Sequence, residues 1–254
     1  MHPPIDQESP TDALRRAAFI LRGATRVAVL TGAGISAESG LATFRGAGGL
    51  WEGHRVEDVA TPRAFRRDPG LVWRFYNLRR AALAQVSPNP GHHALADLER
   101  RWGSDAFALV TQNVDGLHQQ AGSQNVLEIH GTIRHVRCTG CEAITDRGTE
   151  ALADLPACEA CGQLLRPNVV WFEEALPEAV WKRAEDEVAR CDCFLVVGTS
   201  AVVYPAAGLI DLARMEGAAV IEVNVVPSQA SSRVDVLLIG PSGTVLPELV
   251  KSLA

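Results

Sequence analysis

The chain has no apolar run of the ~18 residues that a membrane-spanning helix needs, in a sequence of 254 residues. It has no excess of basic charge either: 24 Lys and Arg stand against 30 Asp and Glu, a formal charge of -6. Nonspecific attraction to nucleic acid or to an anionic membrane needs a net positive face, so neither partner is expected. The first residues, MHPPIDQESPTD, lack the charged-then-apolar order of a secretory signal, and Asp6, Glu8 and Asp12 are foreign to a transit peptide. A cytoplasmic location is expected. Six cysteines are too few and too clustered for a secreted disulfide framework. There is no internal repeat, and no low-complexity segment beyond the polar first ten residues.

What is present is a large apolar fraction, 47% of the residues, enough to bury a sizeable core. Short β-rich runs recur at Arg26 to Thr31, Ala106 to Thr111, Cys193 to Gly198 and Ala219 to Asn224, with helical stretches such as His92 to Arg101 and Glu178 to Arg190 between them. Strands alternating with helices predict a mainly parallel, Rossmann-like α/β sheet. Two intervals break the rhythm. Residues 134–166 hold four cysteines and turn formers and read as a small insert; residues 46–90 are rich in Arg and aromatic residues and read as a helical flap. The expectation is one domain over 1–254 carrying both modules.

The first strand runs into GAGISAESG, where Gly32, Gly34 and Ala37 fit the G-x-G-x-x-G/A pattern of a dinucleotide loop. Such glycines let backbone N–H groups approach a pyrophosphate. The acidic residue expected about 20 positions on, closing a second strand, is missing: Glu52 and Glu57 follow no strand-like run. That absence argues against a dehydrogenase. Cys138, Cys141, Cys158 and Cys161 form two C-x2-C knuckles with the spacing of a tetrahedral thiolate zinc site. Four protein ligands leave no open position, so the metal is expected to be structural. Cys191 and Cys193 bracket a buried strand and read as packing residues. Thr111 to His118, TQNVDGLH, puts Gln112, Asn113 and Asp115 at a strand end, and Gly198 to Ser200 and Asn224 end two other strands. In open α/β sheets ligands bind outside the carboxyl ends of strands. His130 stands just before Gly131, next to the cysteine insert.

Together, GAGISAESGLATFRG, TQNVDGLH, the EIHG histidine, the paired knuckles, VVWF, GTSAVVYPAA and VN resemble the ordered motif set of the sirtuins, NAD-dependent protein lysine deacylases. The resemblance runs from about Thr25 to Pro247. It implies NAD as co-substrate, one structural zinc, acyl-lysine proteins as partners, and, position by position, the following roles. Gly32, Ala33, Gly34, Phe44 and Arg45 would shape the NAD pocket. Gln112, Asn113 and Asp115 would hold the ribose and the nicotinamide, with Asn113 also counted as catalytic, and Gly198, Thr199, Ser200 and Asn224 would take the adenosine half. His130 resembles the general base. The implied reaction moves the acyl group from lysine to ADP-ribose and releases nicotinamide. Val169 to Phe172 match the segment that pairs with substrate peptide as an added strand, Val170, Trp171 and Phe172 being the substrate residues. Glu173 stands where many members have glycine. A monomer is expected.

The stretch FYNLRRA places Tyr76 and Arg79 three residues apart, on one face of a helix. Y-x-x-R there resembles the desuccinylase/demalonylase branch, in which the arginine would bind an acyl carboxylate and the phenol would donate a further hydrogen bond. Succinyl-, malonyl- or glutaryl-lysine is the expected substrate. The same residues leave open NAD-dependent deacetylation or mono-ADP-ribosylation on this fold. A non-catalytic NAD- or ADP-ribose-binding module is the third reading, and the intact His130, Asn113 and Asp115 argue against it.

Overall fold

The computed structural model describes residues 9–41, 50, 51 and 54–253. At its centre lies a six-stranded parallel sheet built from β1 (Val27–Thr31), β4 (Phe107–Thr111), β5 (Val126–Glu128), β9 (Cys193–Val197), β10 (Ala219–Asn224) and β11 (Val236–Ile239). The order is β11-β10-β9-β1-β4-β5, with every neighbouring pair parallel. β1, β4 and β9 are buried at every position, as an apolar run sandwiched between helices must be. The chain begins in the middle, winds outward through β4 to β5, then returns to lay β9 against the other side of β1. The winding direction reverses there, and the crevice between the carboxyl ends of β1 and β9 is where such sheets bind ligands.

One face of the sheet is covered by α1 (Pro10–Gly23), α5 (Pro90–Trp102) and α9 (Ser242–Ser252), whose Leu21, Leu95, Leu98, Leu246 and Leu249 pack on Val29, Leu109 and Ile221. The other face is covered by α7 (Glu178–Ala189) and α8 (Gly208–Met215), through Ala184, Val188, Leu209 and Ile210. Short helices α2 (Gly34–Ala37) and α6 (Leu117–Gln120) follow β1 and β4. Among the described residues no helix is long and apolar enough to cross a membrane.

A second core lies beside the sheet. β6 (Gly131–Cys138) pairs antiparallel with β7 (Ile144–Asp146) and β8 (Leu165–Val169). Against them pack α3 (Pro62–Arg67) and α4 (Pro69–Leu83), preceded by a small hairpin of β2 (Leu50–Trp51) and β3 (His54–Arg55). Asp68 caps α4 by accepting from the Leu71 amide at 2.8 Å, and Pro69 supplies a first-turn residue that needs no partner for its nitrogen. Val72, Trp73, Tyr76, Arg80 and Leu83 recur at helical spacing and are buried, so this is the face α4 turns inward. The fully buried Arg80 donates to the carbonyls of Ile133, Arg147 and Glu150. Trp73 Nε1 donates to the Leu165 carbonyl at 2.9 Å, and Asn77 and Leu152 exchange two bonds. α4 and the cysteine-bearing strands are therefore one packed unit.

Candidate active site

At the reversal point two loops touch backbone to backbone. Gly34 N donates to the Gly198 carbonyl at 2.8 Å, and Gly32 N to that of Val197 at 3.1 Å. A Cβ on Gly34 would lie 2.6 Å from the Gly198 oxygen, and one on Gly198, whose φ is +58°, would lie 2.3 Å from Ile35 N. The G-x-G pattern is thus enforced here by close approach of the β1 and β9 loops, in addition to any phosphate it admits. Ala33 lies between them, half-buried.

The strand-end residues form a continuous rim. Gln112 Nε2 donates to Thr199 Oγ1 at 3.1 Å, and Asn224 Nδ2 donates to the Thr199 carbonyl at 2.8 Å. The fully buried Glu222 accepts from Asn224, Ser228 and Ser231, which fixes the loop after β10. The half-buried Ser200 accepts from Gln229 N through its carbonyl. Phe44 and Arg45 lie outside the described residues.

Beneath the rim is a buried polar network. Ser36 Oγ donates to Asp115 Oδ2 at 2.7 Å and accepts from Asn113 Nδ2 at 3.2 Å, while Asn113 also donates to the Gly32 carbonyl at 3.1 Å. His92 Nδ1 accepts from the Asn89 amide, so its Nε2 carries the proton and points at Ser36 Oγ, 3.4 Å away. Thr31 gives its hydroxyl proton to Thr111, so it accepts from His118 Nε2 at 3.0 Å. Asn113 and Asp115 are held rigidly by these groups. Burial raises the Asp115 carboxyl above its usual range, opposed by the Leu117 amide, Ser36 and Arg79. Ser36 and His92 were not singled out from the sequence, since the spacing of neither forms a recognisable pattern with Asn113 or Asp115.

Burial, helped by His93, pushes His92 down to about 4. Its pKa unfolded is ~6.5. The folded state therefore refuses a proton that the unfolded chain accepts: the stabilisation is complete above pH ~6.5 and is lost as pH falls toward 4. Up to about 3 kcal/mol is at stake. Urea unfolding of wild type should weaken across that window, and His92→Gln should flatten the slope; equal slopes would remove His92 as the cause.

His130 sits where β5 gives way to β6. Gly131, φ +74°, lets β6 approach β8: a Cβ there would lie 2.3 Å from the Asn168 carbonyl oxygen. His130 Nδ1 is 3.0 Å from the Gln112 carbonyl, which can only accept, so Nδ1 carries the proton and Nε2 presents a lone pair. Burial lowers its pKa below the ordinary histidine value, opposed by that hydrogen bond. The imidazole is neutral at pH 7 and able to take a proton.

The segment after β8 runs alongside. Val170 N donates to the His130 carbonyl at 2.9 Å, Trp171 N to Glu174 Oε2 at 2.9 Å and Phe172 N to the Ala60 carbonyl at 3.0 Å. All three amides are thus engaged within the protein and are not the groups that would bind a peptide added here as a strand. Glu173, in the glycine position, has φ +74° and pairs with Arg63 of α3 at 2.9 Å. Phe172 is 52% exposed, an apolar face beside this segment. The buried Tyr76 accepts from Trp171 Nε1 at 2.9 Å, and burial pushes its pKa up to about 12, so the phenol is neutral. Arg79 lies one turn on from Tyr76. Its guanidinium is 5.6 Å from the Phe75 ring centre, and Arg79 and Asp115 stabilise each other's charged forms. The acyl-pocket candidates therefore adjoin the Asn113/Asp115 network.

The Sγ atoms of Cys138, Cys141, Cys158 and Cys161 all lie within 4.8 Å of one another. The Gly140 and Cys141 amides donate to Cys138 Sγ at 3.3 and 3.4 Å. Four thiolates converging at about the edge length of a ZnS4 tetrahedron fit a zinc ion.

The sequence model of the Sir2 family matches residues 32–205. The chain is 49% identical over 236 residues to NAD-dependent protein deacylase 2 of Pyrobaculum aerophilum, covering 92% of this chain and 93% of that protein. The crystal structure of a Sir2 homologue–NAD complex superposes with a TM-score of 0.88 at 44% identity, over 94% of this chain and 93% of the other. Sir2Af2 bound to a myristoylated histone peptide gives a TM-score of 0.78 at 38% identity, over 96% and 97%.

Proposed function

The chain belongs to the Sir2 family, and we infer that it is an NAD-dependent protein-lysine deacylase. We propose further that it prefers acyl groups ending in a carboxylate, such as succinyl-, malonyl- or glutaryl-lysine. The observation that supports this preference is a neutral, buried phenol one helical turn from a guanidinium, adjoining Asp115. An acyl carboxylate can take a bidentate pair of bonds from Arg79 and a third from Tyr76. An acetyl group offers neither residue an anion.

In this reading Gly32, Ala33, Gly34, Gln112, Gly198, Thr199, Ser200 and Asn224 bind NAD. NAD supplies the ADP-ribosyl acceptor for the acyl group, with nicotinamide as leaving group. Asn113 and Asp115, fixed by Ser36, orient the nicotinamide end. His130 Nε2 takes the proton from a ribose hydroxyl, and the Gln112 carbonyl stabilises the resulting imidazolium through Nδ1. Val170, Trp171 and Phe172 flank the acyl-lysine. Cys138, Cys141, Cys158 and Cys161 would hold a structural zinc whose four positions are all filled by the protein.

One homologue, Sir2Af2, is bound to a myristoylated histone peptide, an acyl chain with no terminal carboxylate. What distinguishes the acidic-acyl reading is therefore the pair at 76 and 79. Arg79→Met is expected to cut kcat/KM on a succinyl-lysine peptide about 10- to 100-fold more than on the acetyl-lysine peptide. Equal losses on both peptides would remove the carboxylate clamp.

A further inference from the structure

Trp171 belongs to the segment beside His130, yet its indole N–H reaches the hydroxyl of Tyr76, 95 positions away in sequence. An indole N–H only donates, so the phenol oxygen accepts from it and its own proton is left for an acceptor other than Trp171. A guanidinium also only donates. With Trp171 in place, both Tyr76 and Arg79 meet an incoming acyl group as donors. We propose that Trp171 is a positioning residue that sets acyl selectivity, by donating to the Tyr76 oxygen and so turning the Tyr76 O–H away from the indole. This rests on the acidic-acyl reading above and adds to it the device that aims the phenol: without the indole bond, the Tyr76 O–H can rotate toward the side that the indole now holds.

The indole is itself held. The Arg166 guanidinium lies 3.5 Å from its ring centre, and Arg166 in turn forks onto Glu174 at 2.6 and 2.8 Å. Glu174 Oε2 accepts the Trp171 amide, which ties the backbone of the same residue to the same clamp. Phe65 of α3 packs on it at 5.1 Å between ring centres. Arg166 is nine-tenths buried and Trp171 more so, which marks the cluster as built rather than incidental. The neutral state of Tyr76 agrees, since a phenolate would repel an acyl carboxylate.

Phenylalanine at 171 keeps the ring and removes the N–H, and the clean readout is the ratio of kcat/KM on succinyl- and acetyl-lysine peptides of one sequence. In Trp171→Phe that ratio is expected to fall about fivefold or more, with KM for NAD changed less than twofold. Tyr76→Phe should lower it similarly, and the double variant should lose little beyond the larger single loss, because both remove one device. A wild type that already lacks the preference overturns the reading beneath and this inference with it. A wild type that prefers succinyl-lysine, with the ratio unchanged in Trp171→Phe or with additive losses, overturns this inference alone. If Trp171→Phe does not fold, the indole resonance of the native enzyme decides. A succinyl-lysine peptide is expected to shift the Trp171 Nε1–H signal more than its acetyl counterpart, and identical shifts overturn the proposal.

Discussion

Alanine in place of His130 is expected to lower kcat by about 10²- to 10⁴-fold, the range for loss of a positioned general base, while binding of NAD and of acyl peptide persists. The expectation follows from one hydrogen bond. Because Nδ1–H is given to the Gln112 carbonyl, the lone pair must be on Nε2, and the ring cannot rotate to another tautomer without orphaning that carbonyl. Burial lowers the folded pKa, so the ring stays neutral, and kcat should hold, below the pH at which an exposed histidine would protonate. The acid limb of the pH profile should thus lie under ~6.5 and vanish with the residual rate of His130→Ala. An acid limb unchanged in the variant would assign the proton transfer elsewhere.

Removing the metal is the second large effect. A structural zinc site contributes on the order of 10 kcal/mol or more to the fold that contains it. Here that fold includes the proposed acyl-pocket residues: Cys138 and Cys158 belong to the same apolar core as Trp73, Phe75, Tyr76 and Trp171. α4 is further tied to the cysteine strands by Arg80, Asn77 and Trp73. Chelation under reducing conditions is expected to melt this second core at a lower temperature than the six-stranded sheet and to abolish deacylation. A single melting transition at an unchanged temperature in the metal-free protein would contradict a structural metal.

Four of the six strands of the central sheet and the cysteine site were legible in the sequence because their signals are local. A short apolar β-rich run reads as a buried strand, and Val27–Thr31, Phe107–Thr111, Cys193–Val197 and Ala219–Asn224 match four such runs nearly residue for residue. Paired C-x2-C knuckles carry their geometry in their spacing. Tyr76 and Arg79 were visible as a pair at helical spacing. Their neighbour Arg80 carries no such signal, yet it is buried and bonded to three carbonyls some 50 to 70 residues away. The bond from Trp171 to Tyr76 and the links from His92 through Ser36 to Asp115 are equally nonlocal. No period or motif in one sequence announces such partners; only the folded chain brings them together. The glycine at 198 shows the reverse case, a residue legible as a strand end whose reason, contact with Gly34 and Ile35, is tertiary.

The most direct test is kcat/KM of the wild-type protein on one peptide bearing acetyl-, malonyl-, succinyl- or glutaryl-lysine, with and without NAD, following free lysine peptide and O-acyl-ADP-ribose together. The account predicts turnover only with NAD, the two products in equal amounts, and a clear preference for the acids. Equal or better turnover of acetyl-lysine would return Tyr76 and Arg79 to the helix core as structural residues, and turnover without NAD, or none with it, would contradict the account itself.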